Sequence, residues 1–139
     1  MTNAPIDKLQ EWSDQGHRTV QADTLVMLAA DNPDVVALSA DLTPTARLVE
    51  FKETYPDRFF DVGIAEQNLI DFTAGLALEG LRPYAVGLAA MVPMRPAEQM
   101  RAALGYMKAN ATIIGIEAGV RFGPLGNTHY AMDDIAVVR

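Results

Sequence analysis

Four short apolar runs, VVALSA, RFFDV, PYAVGL and ATIIGIEAG, punctuate the chain, and long polar-apolar stretches of helical character separate them. This spacing limits the fold more than any other feature. Each run is shorter than an ordinary helix and carries the β-branched or aromatic residues that suit a buried pleated surface. Strands joined by helices of a dozen residues or more need crossover connections, so the sheet is expected to be mainly parallel and covered on both faces. The fold class predicted is α/β: a three-layer, open, mainly parallel sheet with helices on both faces.

The elements can be bounded further. RTVQADTLVMLAADNP has helical spacing and stops at Asn32-Pro33, which cannot continue a helix. TARLVEFKETYP reads as an amphipathic helix, a further helix spans Ala65 to Leu78 and closes at Gly80, and PAEQMRAALGYMKAN is expected to run to Asn110. AMDDIAVV begins a last helix. Residues 1–15 read as a loose arm and residues 16–139 as one domain, with no repeat or linker.

Composition narrows the function. A net charge of −7 and a pI near 4.6 argue against a nucleic-acid backbone or an anionic membrane as partner. With no cysteine there is no disulfide, thiolate nucleophile or cysteine metal site, and no apolar run approaches the roughly 20 residues that span a bilayer. The N-terminus is charged throughout and lacks the apolar block of a signal peptide. The expectation is a soluble cytoplasmic protein.

In open α/β folds ligands bind outside the carboxyl ends of the strands. The segments there are DLTPT, GIAEQN, AAMVP and VRFGPLGNTH. Gly119, Gly123 and Gly126 allow close backbone approach in the last of these, although surface turns explain them as well. One residue is out of place: on the Ala65–Leu78 helix, Glu66 shares a stripe with Leu69, Ile70, Thr73, Ala74 and Ala77, which aims a carboxylate at the core. Spacing leaves two readings open, a catalytic carboxylate or one that stabilises its own helix start.

The segment FFDVGIAEQNLIDFTAGLALEG, with SADLTP before it and MRPAEQMR and GNTHYAMDDIA after it, resembles the pyrimidine-binding domain of transketolase and related thiamine-diphosphate enzymes. The likeness covers residues 18–139 and matches the C-terminal subunit of a split transketolase. It implies that Glu66 hydrogen-bonds N1′ of the cofactor's aminopyrimidine, favouring the imino form that takes the proton from C2. It also implies that Asp41 lies near the cofactor, that Thr45 and Arg18 bind sugar phosphate, and that His129 stands beside the reacting carbon. Each has a plainer rival: a capped helix start for DLTPT, a solvated Arg18, a satisfied loop histidine. Arg95, Glu98 and Arg101, three apart, suit an intrahelical ion-pair ladder.

Departures from the family pattern bear on specificity. Leu88, Met91 and Met94 stand where aromatic rings usually stack on the aminopyrimidine, which keeps apolar contact but loses stacking. Glu117 stands in place of a phosphate-contacting histidine, Leu125 in place of an acidic residue and Asn127 in place of proline. A free carboxylate at Glu117 would repel phosphate and favour neutral or cationic substrates. The GDG motif that holds the diphosphate and Mg²⁺ in this family does not occur in the sequence. The resemblance therefore implies a GDG-bearing partner subunit, a heterotetramer or larger symmetric assembly, and a small sugar or ketone substrate. A 1-deoxyxylulose-5-phosphate-synthase-like carboligase and a non-catalytic scaffold are the alternatives.

Overall fold

A computed structural model describes residues 6–139. Strands β1 (Val35–Ser39), β2 (Phe59–Asp61), β3 (Arg82–Leu88) and β4 (Thr112–Ile116) form one sheet in the order β2-β1-β3-β4. All three pairings are parallel, with Ala37 opposite Phe59 and Tyr84, and Tyr84 opposite Thr112. β1 is buried along its whole length, as its apolar run demands at a central position.

Alternate residues of the strands enter two cores, which confirms the three layers. Val35, Ala37, Phe59, Val86 and Ile116 pack under α2 (His17–Asp31) and α3 (Val49–Thr54), whose contributions include Leu25, Ala29 and Phe51. On the other face Val36, Leu38 and Ala85 pack under Leu69 and Ile70 of α4 (Glu66–Leu78), with Met100 and Leu104 beside them. The chain leaves β1 toward α3 on one face and β3 toward the opposite face. The order of strands thus reverses between β1 and β3, and the carboxyl ends at such a reversal are where open α/β sheets bind ligands.

Three elements differ from expectation. The described part of the N-terminal segment is helical, α1 (Ile6–Gln15), rather than a loose arm, and packs on α2; residues 1–5 of that arm lie outside the described residues. The TARLVEFKETYP helix is confined to α3 because Arg47 takes φ +61, a left-handed conformation that interrupts the helix before Val49. The fourth helix begins as α5 (Ala97–Gln99), widens into a π-helix over Met100–Tyr106 and ends before Lys108, whose φ is +57. Gly105 inside that stretch weakens the ordinary helix register. The final helix is α6 (Asp134–Val138).

The segment after β3 folds tightly onto the sheet edge. Ala89 donates its N–H to Ile116 O at 2.8 Å, and Val92 donates to Leu88 O at 2.9 Å. Two glycines permit this. A Cβ on Gly87 would collide with Val92 Cγ2, and one on Gly115 would lie 3.2 Å from Ala89 Cα. No helix among the described residues is long and apolar enough to cross a membrane.

Candidate functional site

Glu66 opens α4, and its residue is 8% exposed, so its carboxylate is withdrawn from water as the stripe predicts. The carboxylate does not cap its helix. Its hydrogen-bond partner among the described residues is Arg95, whose Nη1 donates to Oε1 at 2.6 Å. Oε2 takes no hydrogen bond among those residues. Arg95 belongs to the segment between β3 and α5, which also carries Met91 and Met94. Leu88 and Met91 are half-buried there, and Met94 is exposed.

A second buried carboxylate lies at the end of β4. Glu117 is 4% exposed and adopts φ +59. Its Oε1 lies 2.9 Å from Arg18 Nε, and its Oε2 lies 3.3 Å from Arg121 Nε. His17 Nε2 is 3.7 Å from Oε1. The Arg18 contact is an ion pair rather than a directed hydrogen bond, since Oε1 accepts none of good geometry. Arg18 is held from its other end by donating Nη1 to Thr45 O at 3.0 Å. Groups from α2 and the loop after β4 therefore meet on one acid, and Arg18 links it to the turn after β1.

A third constellation escaped the sequence. Asp61, the last residue of β2, accepts hydrogen bonds from Asp41 N at 2.8 Å, Thr43 Oγ1 at 2.8 Å and Gly63 N at 3.1 Å. Partial burial, the largest influence, pushes the Asp61 carboxyl up. The bonds from Asp41, Thr43 and Gly63 together with the Lys52 charge outweigh it and hold the pKa below the usual aspartate value. Asp61 is thus the anchor that lets Asp41 take φ +60 at the end of β1. The sequence signal was present: an aspartate placed between a strand and the GIAEQN segment, opposite the loop that bears Asp41.

His129 closes a short 3₁₀ segment, Gly123–His129. Its Nδ1 is 2.9 Å from Thr128 Oγ1, and Phe122 lies edge-on to its ring at 5.9 Å. An antiparallel bridge between Gly119 and Ala131 closes the loop that contains it.

A model of the pyrimidine-binding domain of transketolase matches residues 15–139. The chain belongs to that family. An apulose-4-phosphate transketolase subunit of Phocaeicola vulgatus is 38% identical over 117 residues, which are 84% of this chain and 38% of that protein. The 1-deoxy-D-xylulose-5-phosphate synthase of Desulfotalea psychrophila is 39% identical over 123 residues, covering 88% of this chain and 19% of the synthase. A split-gene transketolase, solved as an inactive β4 tetramer, superposes with a TM-score of 0.74 at 36% identity over 88% of this chain and 39% of that one. The chain thus spans about two fifths of the length of its split-transketolase relatives.

Within this pyrimidine domain the expected residues fall into separate groups. Arg18 bridges the Thr45 carbonyl and Glu117; Glu66 is joined to the Met91–Met94 segment; Asp41 is tied to Asp61; and His129 makes its contacts within its own loop. Two expectations are corrected. Glu117 is not a free carboxylate facing substrate, because burial forces it to pair with arginines on both oxygens. The Arg95–Glu98–Arg101 ladder is half realised: Arg101 meets Glu98 at 3.7 Å, whereas Arg95 turns away to the buried Glu66. Leu125 is exposed.

Proposed function

We propose that this chain supplies the aminopyrimidine-binding half of a thiamine-diphosphate-dependent enzyme of transketolase type, transferring a two-carbon ketol unit between small sugars or ketones. A partner subunit holds the diphosphate and Mg²⁺. The observation that carries this reading is a buried carboxylate at the start of α4 with one oxygen paired to Arg95 and the other uncommitted. A ring nitrogen needs an uncommitted acceptor within hydrogen-bond reach. The residues present fit the ring end of the cofactor: Oε2 of Glu66 would accept from N1′, and Leu88, Met91 and Met94 would supply apolar contact. When bound, the cofactor supplies a carbon nucleophile toward a ketose carbonyl.

The chain's own groups have distinct tasks in this reading. Glu66 holds a proton at N1′. His129, with Nδ1 beside the Thr128 hydroxyl, turns Nε2 to a substrate oxygen and moves a proton there. Arg18 and Thr45 stand where a substrate's anionic end enters, and Asp41 lies beside the cofactor. That the similar split-gene transketolase was solved as an inactive β4 tetramer supports a chain that works only with its partner. The similarity to 1-deoxy-D-xylulose-5-phosphate synthase favours a carboligase subunit as second reading.

The test is Glu66→Gln in the complex with a diphosphate-binding partner subunit. The amide leaves the fold intact and slows hydrogen–deuterium exchange at C2 of the cofactor by at least about a hundredfold, within the range for a lost general acid–base. Exchange at the wild-type rate would sink the reading.

A further inference from the structure

We infer that Arg95 is a positioning residue for Glu66, one that locks the carboxylate to the segment forming the apolar wall of the ring site. The inference rests on the proposed function. A glutamate at the first position of a helix has an obvious alternative: its carboxylate can fold back onto the free N–H groups of its own first turn, where the helix dipole also favours it. Glu66 does not do so, and its hydrogen-bond donor among the described residues is Arg95, 29 residues away in sequence. The guanidinium draws the acid off the helix end and toward the segment after β3.

Arg95 can do this because its own backbone is fixed. Its N–H donates to Met91 O at 3.0 Å, and the next residue, Pro96, is fully buried. Met91 is held in turn by a bond from its N–H to Leu88 O at 2.9 Å, so the origin of the arginine is tied to the end of β3. The pair joins α4 to this segment by a charge-assisted contact whose acid side is only 9% exposed. It also divides the carboxylate: Oε1 belongs to Arg95, which leaves Oε2 as the atom for N1′. Any shift of the Met91–Met94 wall is therefore transmitted to the acid that faces the ring.

Arg95→Met and Arg95→Lys test this, each in the free chain and in the complex with the diphosphate-binding partner. In the free chain, side-chain NMR couplings should report one χ1 rotamer for Glu66 in the wild type and rotamer averaging in Arg95→Met. In the complex, C2 exchange should fall about tenfold to a hundredfold, the scale of losing alignment by about 1 Å, with KM for the ketose unchanged. The double variant with Glu66→Gln should be no slower than Glu66→Gln alone, since Arg95 acts through the acid. If Arg95→Met does not assemble, Arg95→Lys serves, with averaged rotamers and slowed exchange expected. Averaged Glu66 rotamers with wild-type exchange, or a single rotamer in both variants, would overturn the inference. Wild-type exchange in Arg95→Met beside severe loss in Glu66→Gln overturns the positioning role alone, whereas wild-type exchange in both removes the proposed function itself.

Discussion

Replacing Glu117 with glutamine removes the negative charge on which groups from α2 and the loop after β4 meet. At an effective dielectric of about 20, a unit pair with charge centres about 4 Å apart is worth about 4 kcal/mol. Against this stands the several kcal/mol that desolvating the acid costs. The two arginines differ in what they contribute. Arg121 is 65% exposed, so its pair is screened and adds at most about 1 kcal/mol; Arg18 is 31% exposed and fixed by Thr45, so it cannot retreat fully to water. Breaking a fully buried pair costs about 3–5 kcal/mol, and the exposure of both arginines brings the expected loss to about 2 kcal/mol. That corresponds to a fall in Tm of about 6 °C for a domain of this size. Thermal denaturation of the free chain followed by circular dichroism measures it, and the gap to wild type should narrow as added salt screens the pairs. An unchanged or raised Tm would refute the reasoning by showing that desolvation cancels both pairs. The same geometry reverses an expectation about substrate. One carboxylate between two guanidiniums carries no net negative charge, so Glu117 is not the free, phosphate-repelling carboxylate expected from the sequence.

Other outcomes can be stated briefly. Asp61→Asn should cost roughly 1 kcal/mol at neutral pH, after discounting for exposure, because its three donors lose a charged acceptor. The depressed folded pKa makes this a contribution present above the unfolded aspartate value and lost as pH falls through the folded one. Urea titrations should therefore show wild type and variant converging in acid, and a gap constant with pH would contradict the assignment. Gly87→Ala drives a methyl into Val92 and should destabilise by about 1–3 kcal/mol, read from the urea midpoint; wild-type stability would show that the segment after β3 yields freely. Calorimetry of the free chain with thiamine diphosphate and Mg²⁺ should show weak binding or none, with tight binding on adding the partner; tight stoichiometric binding by the chain alone would contradict a shared site.

The sheet was legible because burial on both faces leaves an unbroken apolar run at its centre, and VVALS is β1 with every residue buried. Glu66 was legible as misplaced for the same reason, since a carboxylate on an apolar stripe contradicts its neighbours. What it touches was not legible. Arg95 sits three residues before Glu98, and local spacing offers that nearby acid as partner, whereas the buried acid 29 residues back wins because its need for a counter-charge is greater. The widening of the fourth helix was less legible: in MRAALGY only Gly105 departs from ordinary helix formers, and a single glycine weakens a helix without specifying which hydrogen-bond register replaces it. Glu117 misled because spacing gives a side chain's position along the chain and not its direction. Helix α1 was not legible because IDKLQEWSDQ carries charges throughout and few apolar residues.

Two acids, Glu66 and Glu117, are nearly buried at the strand ends, and each is paired with an arginine from a different element. Buried ion pairs are poor sources of stability, because apolar residues of similar volume serve a core as well or better. Their value here is directional. A guanidinium sets the direction of a carboxylate through charge-assisted contact, which apolar packing does not. The two pairs also act across the two faces of the sheet, since Arg95 reaches the face of α4 while Arg18 reaches from α2 on the other. The segments that follow β2 and β4, the two outer strands of the sheet, are therefore each tied by charge to another element. Under the proposed function the site is completed by a second subunit, and such ties would set its geometry before the partner arrives.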